Sequence, residues 1–198
     1  MGAGMIAIEV LTLLVRGSGS LILEVTETFS EQEWTRRALP GTNPPGFTAW
    51  HMARTVDWAM QTGVRGRPEV ITDPRFQSLD GFGIGTGSTS EEAMAIARRM
   101  PRAAVGEYAG AVSAAALEWL ALIDEELLAM PNQLEKNQSA IDAYSVEGHL
   151  SEVRDLFGIP IWQLIVRPAG SHIRVHYGEL EVLAQAMQVS SQARSEQP

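Results

Sequence analysis

Apolar residues recur along this chain at intervals of three and four, the spacing that lines side chains up on one face of an α-helix. Ile6, Val10, Leu13 and Leu14, then Leu21, Val25 and Phe29, predict a first helix over residues 3–29. Gly17-Ser18-Gly19-Ser20 is a local weakness within it, a kink or a break, because each interior glycine costs about 1 kcal/mol. Ser30-Glu31-Gln32-Glu33 reads as a capping box opening a short helix to residue 38. Ala49, Ala53, Val56 and Met60 share a face of a second main helix over residues 47–62, closed by Gly63. A Gly- and Pro-rich connection fills residues 64–89. Ser90 then caps a third helix running toward residue 130, with Pro101 as its candidate break. Residues 139–144 are a turn or short helix, and residues 145–157 read as helical. Pro160 opens the last helix, Pro168 kinks or restarts it, and the periodicity continues to residue 189.

Alternating patterns are confined to short fragments such as residues 68–72, and there is no internal repeat. The expected fold is all-α: four main helices, short extra ones, and a long crossover between the second and third. Residues 1–189 form one domain and residues 190–198 a polar tail.

With 198 residues, 45% apolar and 20% charged, the chain can bury a sizeable core. Its net charge of −9 argues against a phosphate-backbone partner. The basic group Arg98, Arg99 and Arg102 reads as a solvated helix face. Cysteine is absent, which excludes disulfides, thiolate ligands and a cysteine nucleophile, so a metal would rest on His, Asp, Glu and water. The first fifteen residues are interrupted by Glu9 and do not read as a signal peptide. No stretch reaches the roughly 20 apolar residues that span a bilayer, and a cytoplasmic protein is expected.

His172 and His176 stand four residues apart, so a helix stacks their imidazoles on one face, a spacing that can bind one metal ion. His51 lies within the second helix and His149 near residue 150; alone, each reads as a structural or surface histidine, with His149 a reserve ligand. The run Gly81-Phe82-Gly83-Ile84-Gly85-Thr86-Gly87 lacks the preceding strand and the Gly-Lys-Ser/Thr ending of a phosphate cradle. It reads as a flexible loop or lid over a pocket near His51.

Two stretches together resemble the DinB-like (YfiT-like) superfamily. Asn43 to Trp58 holds a histidine within Trp50-His51-Met52-Ala53-Arg54, followed six residues later by Asp57-Trp58, as in that family's second helix. His172-Ile173-Arg174-Val175-His176-Tyr177-Gly178 is similar to its last helix. The resemblance implies an up-down-down-up four-helix bundle and commonly a homodimer. It also implies a divalent metal on His51, His172 and His176: nickel or zinc first, manganese or iron next. Several members are transferases or isomerases using a low-molecular-weight thiol, and many have no known activity. The segment of residues 133–158 departs from the family's minimal pattern.

Three neutral imidazoles leave an ion its full charge and an open position, the arrangement of a catalytic centre. Asp57 and Glu179 are candidates to orient the imidazoles or to act as general base. Glu179, three residues after His176, is better placed, while Asp57 suits an N–H or arginine partner. Arg54 and Arg174 could bind an acidic substrate or thiol, but the preferred reading keeps both on the surface. The expected function is therefore a metal-dependent thiol transferase or hydrolase acting on a small molecule, with neither nucleic acid nor membrane as partner. The alternatives are a non-catalytic helical bundle that binds metal and a metal-free interaction domain.

Overall fold

The computed structural model describes residues 7–144 and 153–195. His149 and most of residues 145–157, read as helical from the sequence, lie outside the described residues. Among the described residues the secondary structure is helical throughout, without strands; residues 70–72 are a 3₁₀ turn, and the one extended pairing is an isolated bridge between Pro131 and Pro160. No described helix is long and apolar enough to cross a membrane.

Helix α1 (Ala7–Thr28) runs unbroken through the Gly-Ser stretch. The reason is packing. A Cβ on Gly19 would sit 2.7 Å from Ser113 Oγ, so the small residues let α1 lie close against α5 (Arg102–Leu120). Ser18 is buried against the C-terminal helix instead, its hydroxyl donating to the carbonyls of Leu14 and Ala169. The Ser30 capping box forms, but its helix α2 (Glu31–Trp34) is a single turn. Trp34 ends it by turning inward, where its indole N–H donates to Met100 O at 2.6 Å.

Helix α3 (Pro45–Asp57) is buried on every side, packed against α1, α5 and the C-terminal helix. It passes directly into a π-helical stretch, Trp58–Val64. The expected third helix is three pieces. Helix α4 (Ser90–Ala97) is capped by Thr89, one residue earlier than expected, with Glu92 closing the box. Pro101 separates it from α5, and α6 (Glu125–Ala129) starts anew at Asp124, whose carboxylate accepts from Leu127 N. Asp124-Glu125-Glu126 is the start signal that the sequence reading passed over.

Helix α7 (Gln138–Tyr144) fits the short helix expected there. A small second core joins Trp58, Ile84, Leu134, Val153, Leu156 and Leu164, seating this part of the chain beside the first π stretch. The last helix is also composite: α8 (Ile161–Val166), a π stretch (Arg167–His172), then α9 (Ile173–Ser195). Pro168 has no N–H to give and would clash in a regular α-turn; the wider π turn absorbs it without breaking the helix. Helix α9 continues past residue 189, where a polar tail was expected, to Ser195.

Candidate metal centre

Helix α3 presents His51, and the second π stretch with α9 presents His172 and His176. One nitrogen from each ring lies within 4.8 Å of the others. The ring centroids are 4.9, 5.2 and 4.5 Å apart and every pair is edge-on, so no ring stacks across the gap.

The hydrogen bonds fix which nitrogens are free. His51 Nδ1 is 2.5 Å from the Ile84 carbonyl, which can only accept, so Nδ1 carries the proton and Nε2 keeps its lone pair. His176 Nδ1 is 2.7 Å from Glu179 Oε2, and a carboxylate imposes the same tautomer. His172 Nε2 is buried with no hydrogen-bond partner. A buried polar atom left unpaired costs about 1–3 kcal/mol. An ion shared among the three imidazoles would remove that cost, and a carbonyl or carboxylate behind a ligating histidine is the usual support of such a site.

The glycine-rich run does not behave as a free lid. Two α3 side chains hold its carbonyls, Arg54 Nε donating to Gly83 O at 3.0 Å and His51 to Ile84 O, and a third, Trp50 Nε1, holds Leu79 O just before it at 3.1 Å. Gly85 has φ +84°, and a Cβ there would fall 2.7 Å from the Trp50 ring. Only glycine lets the loop come this close to His51. The run is a fixed wall, with a second cavity of about 420 Å³ on its other side.

Beside the histidines is a cavity of about 440 Å³. Phe47, Trp58, Leu156 and Leu164 give it apolar walls, Asn43, Thr55 and Ser171 supply polar atoms, and Arg167 is its single guanidinium. Leu156 brings the segment of residues 133–158 into the wall of the pocket.

Asp57 does not line this cavity. It is fully buried, accepting from Val70 N at 2.9 Å, Ile71 N at 3.0 Å and the Tyr108 hydroxyl at 2.7 Å. Arg54, expected at the surface, is buried instead, because Glu69 at 2.6 Å and Asp57 at 3.4 Å compensate its charge. Burial pushes the Asp57 carboxyl and the Tyr108 hydroxyl up; Tyr108, Glu69 and Asp57 hold the Arg54 guanidinium above its ordinary value despite burial. Arg174 is exposed, as expected.

Burial pushes His51 down from 6.5 to about 4, opposed by its bond to Ile84. Burial, then the charges of His51, His176 and Arg167, push His172 down to about 3. Both imidazoles are therefore neutral at neutral pH, the form in which a ring nitrogen can bind an ion. In metal-free protein the unfolded chain takes up these protons near pH 6.5, while the fold refuses them until about pH 4 and pH 3. The contribution of the two groups is full above pH 6.5 and falls as the pH drops through that window. Urea melts of chelator-treated protein should lose about 2–3 kcal/mol per histidine between pH 7 and pH 4.5. His172→Ala/His176→Ala should show the shallower slope.

Glu179 is exposed, and its hydrogen bond to His176 is its one described role. Glu179→Ala should weaken affinity for an added divalent ion about 10–100-fold while leaving the melting temperature of the metal-free protein unchanged. Equal zinc affinity in both proteins by competition titration would remove Glu179 from the site.

No family model matches the sequence, and no curated protein is significantly similar to it.

Proposed function

We propose that this chain is a metal-dependent enzyme of the DinB-like type, a thiol-dependent transferase or a hydrolase acting on a small molecule. In this reading α1, α3, α5 and the composite α8–α9 helix are the four members of an up-down-down-up bundle. The loop of residues 65–89 is its long crossover. The observation that carries the reading is the convergence of three imidazole nitrogens, one of them buried and unpaired, on an open cavity.

His51, His172 and His176 would hold the ion, and nitrogen donors of this kind suit nickel or zinc, with iron or manganese behind. When bound, the ion supplies Lewis acidity to a coordinated water, thiol or carbonyl. The protein's own part is orientation and exclusion. Ile84 O and Glu179 fix two rings through their Nδ1 protons, and Phe47, Trp58 and Leu164 keep one side of the cavity dry. Among the described residues lining the cavity there is no carboxylate. Asp57 and Glu179 therefore act through the loop and through His176 and not on the substrate.

Val175, Val182 and Val189 are exposed at seven-residue spacing along α9, an apolar stripe suited to a second copy in a cytoplasmic homodimer. A species of single-chain mass in sedimentation velocity overturns that assembly.

The catalytic reading is tested by turnover. Zinc- or nickel-loaded protein should consume glutathione, bacillithiol or mycothiol with electrophilic small molecules, or hydrolyse a panel of esters and amides. His51→Ala should do neither. Full occupancy without turnover leaves a metal-binding helical protein.

A further inference from the structure

The cavity beside the histidines has an uneven electrostatic lining. The chain is rich in acidic residues, yet among the described residues none of them lines this pocket. The one permanent charge among its described lining residues is the guanidinium of Arg167. That side chain is exposed and has no ion pair or hydrogen bond among the described residues, whereas Arg54, Arg75 and Arg102 are all paired with carboxylates.

The backbone explains how Arg167 reaches the site. It stands five residues before His172, and on a regular α-helix five residues turn about 140° beyond a full turn. That would aim the two side chains apart. Arg167–His172 is instead the π-helical stretch, in which hydrogen bonds run from i to i+5, and this brings residue i+5 back toward the side of residue i. His176 follows four residues on in α-geometry. Arg167, His172 and His176 therefore open on one cavity. The positive charge of Arg167 is also felt at His172, where it opposes protonation.

Apolar walls and a free guanidinium, with no competing carboxylate among the described residues, describe a receptor for an organic anion. We propose that Arg167 is the substrate-anchoring residue of this pocket, and that the substrate class is a carboxylic acid with an apolar body. The carboxylate pairs with Arg167, which can bind it bidentately. The apolar part lies between Phe47, Trp58 and Leu164, next to the three imidazoles. This placement deepens the proposed function and rests on it for the chemistry that follows binding, but the anion site itself needs only Arg167 and the walls.

The experiment compares 3-phenylpropanoate with its neutral isostere 3-phenylpropanamide by calorimetry or ligand-observed NMR. Wild type, Arg167→Gln and Arg167→Lys are each measured metal-free and zinc-loaded, with zinc content determined in parallel. The expected result is that wild type binds the acid about tenfold or more tightly than the amide in both forms, the scale of a charge-assisted hydrogen bond. Arg167→Gln loses the preference and Arg167→Lys keeps part of it. The exposed position of Arg167 leaves the fold intact in both variants. A preference unchanged in Arg167→Gln overturns the proposal and transfers the anion to the zinc or the imidazoles. Equal binding of acid and amide to wild type, or binding of neither, also overturns it. Zinc content separates the two readings: protein that takes up no zinc but still shows the Arg167-dependent preference keeps the anion site and loses the metalloenzyme.

Discussion

Protein purified without a histidine tag or a chelating column should carry about one equivalent of a divalent ion, and His172→Ala/His176→Ala should carry none. The expectation follows from nitrogens already converged within 4.8 Å and from tautomers already set by Ile84 and Glu179. Little reorganisation is needed to bind. An ion at a hundred times its dissociation constant stabilises a fold by about 2.7 kcal/mol, or about 5–10 °C in melting temperature for a chain of this size. The double variant should show no such shift. Metal-free, it should also hold its stability toward acid better than metal-free wild type, since it no longer carries the buried, unpaired His172 nitrogen. Elemental analysis by mass spectrometry beside thermal melts reads both effects. Absence of metal from the wild type after incubation with Ni, Zn, Mn and Fe in turn, with unshifted melts, would sink the metalloenzyme reading and leave the three histidines as core residues.

The pair His172 and His176 was legible because helical spacing is local: four residues put two rings on one face whatever the rest of the chain does. His51 joined them only through the resemblance of two distant stretches, since no periodicity says which helices meet. The π turns were not legible at all. One extra residue per turn shifts the apolar pattern by less than its own irregularity, and Pro168 announced a disturbance without saying that the helix would survive it. The glycine run misled for a different reason. Glycines imply freedom of the chain in isolation, but the carbonyls of Leu79, Gly83 and Ile84 are fixed by Trp50, His51 and Arg54. A lone arginine reads as surface because burying it needs compensating groups. Here one of them, Glu69, lies fifteen residues away, where only the folded crossover brings it near.

Asp57→Ala should be among the most destabilising single substitutions in the protein, at about 3–5 kcal/mol, against a total folding stability of about 5–15 kcal/mol. The side chain makes no contact with solvent. Its removal leaves the N–H groups of Val70 and Ile71 without their acceptor and the Tyr108 hydroxyl proton without its own, although that oxygen still accepts from Arg54. It also takes one of two carboxylates from a buried guanidinium, leaving Arg54 to Glu69 alone. Asp57→Asn keeps the shape and one acceptor, so it should cost less, though its amide N–H₂ then faces the same donors. Urea denaturation gives both values, and a loss under about 1 kcal/mol for the alanine variant would falsify the structural role. A general base at this position predicts the reverse pattern for the asparagine variant: stability kept and turnover lost. The effect should not stay local. Arg54 also holds Gly83 O, one residue before the carbonyl that orients His51, so loosening the cluster frees the loop. Divalent-ion affinity should therefore fall in Asp57→Ala even under conditions where the variant is still folded, because the ion then has to order a ring that the ionic cluster holds in place in the wild type.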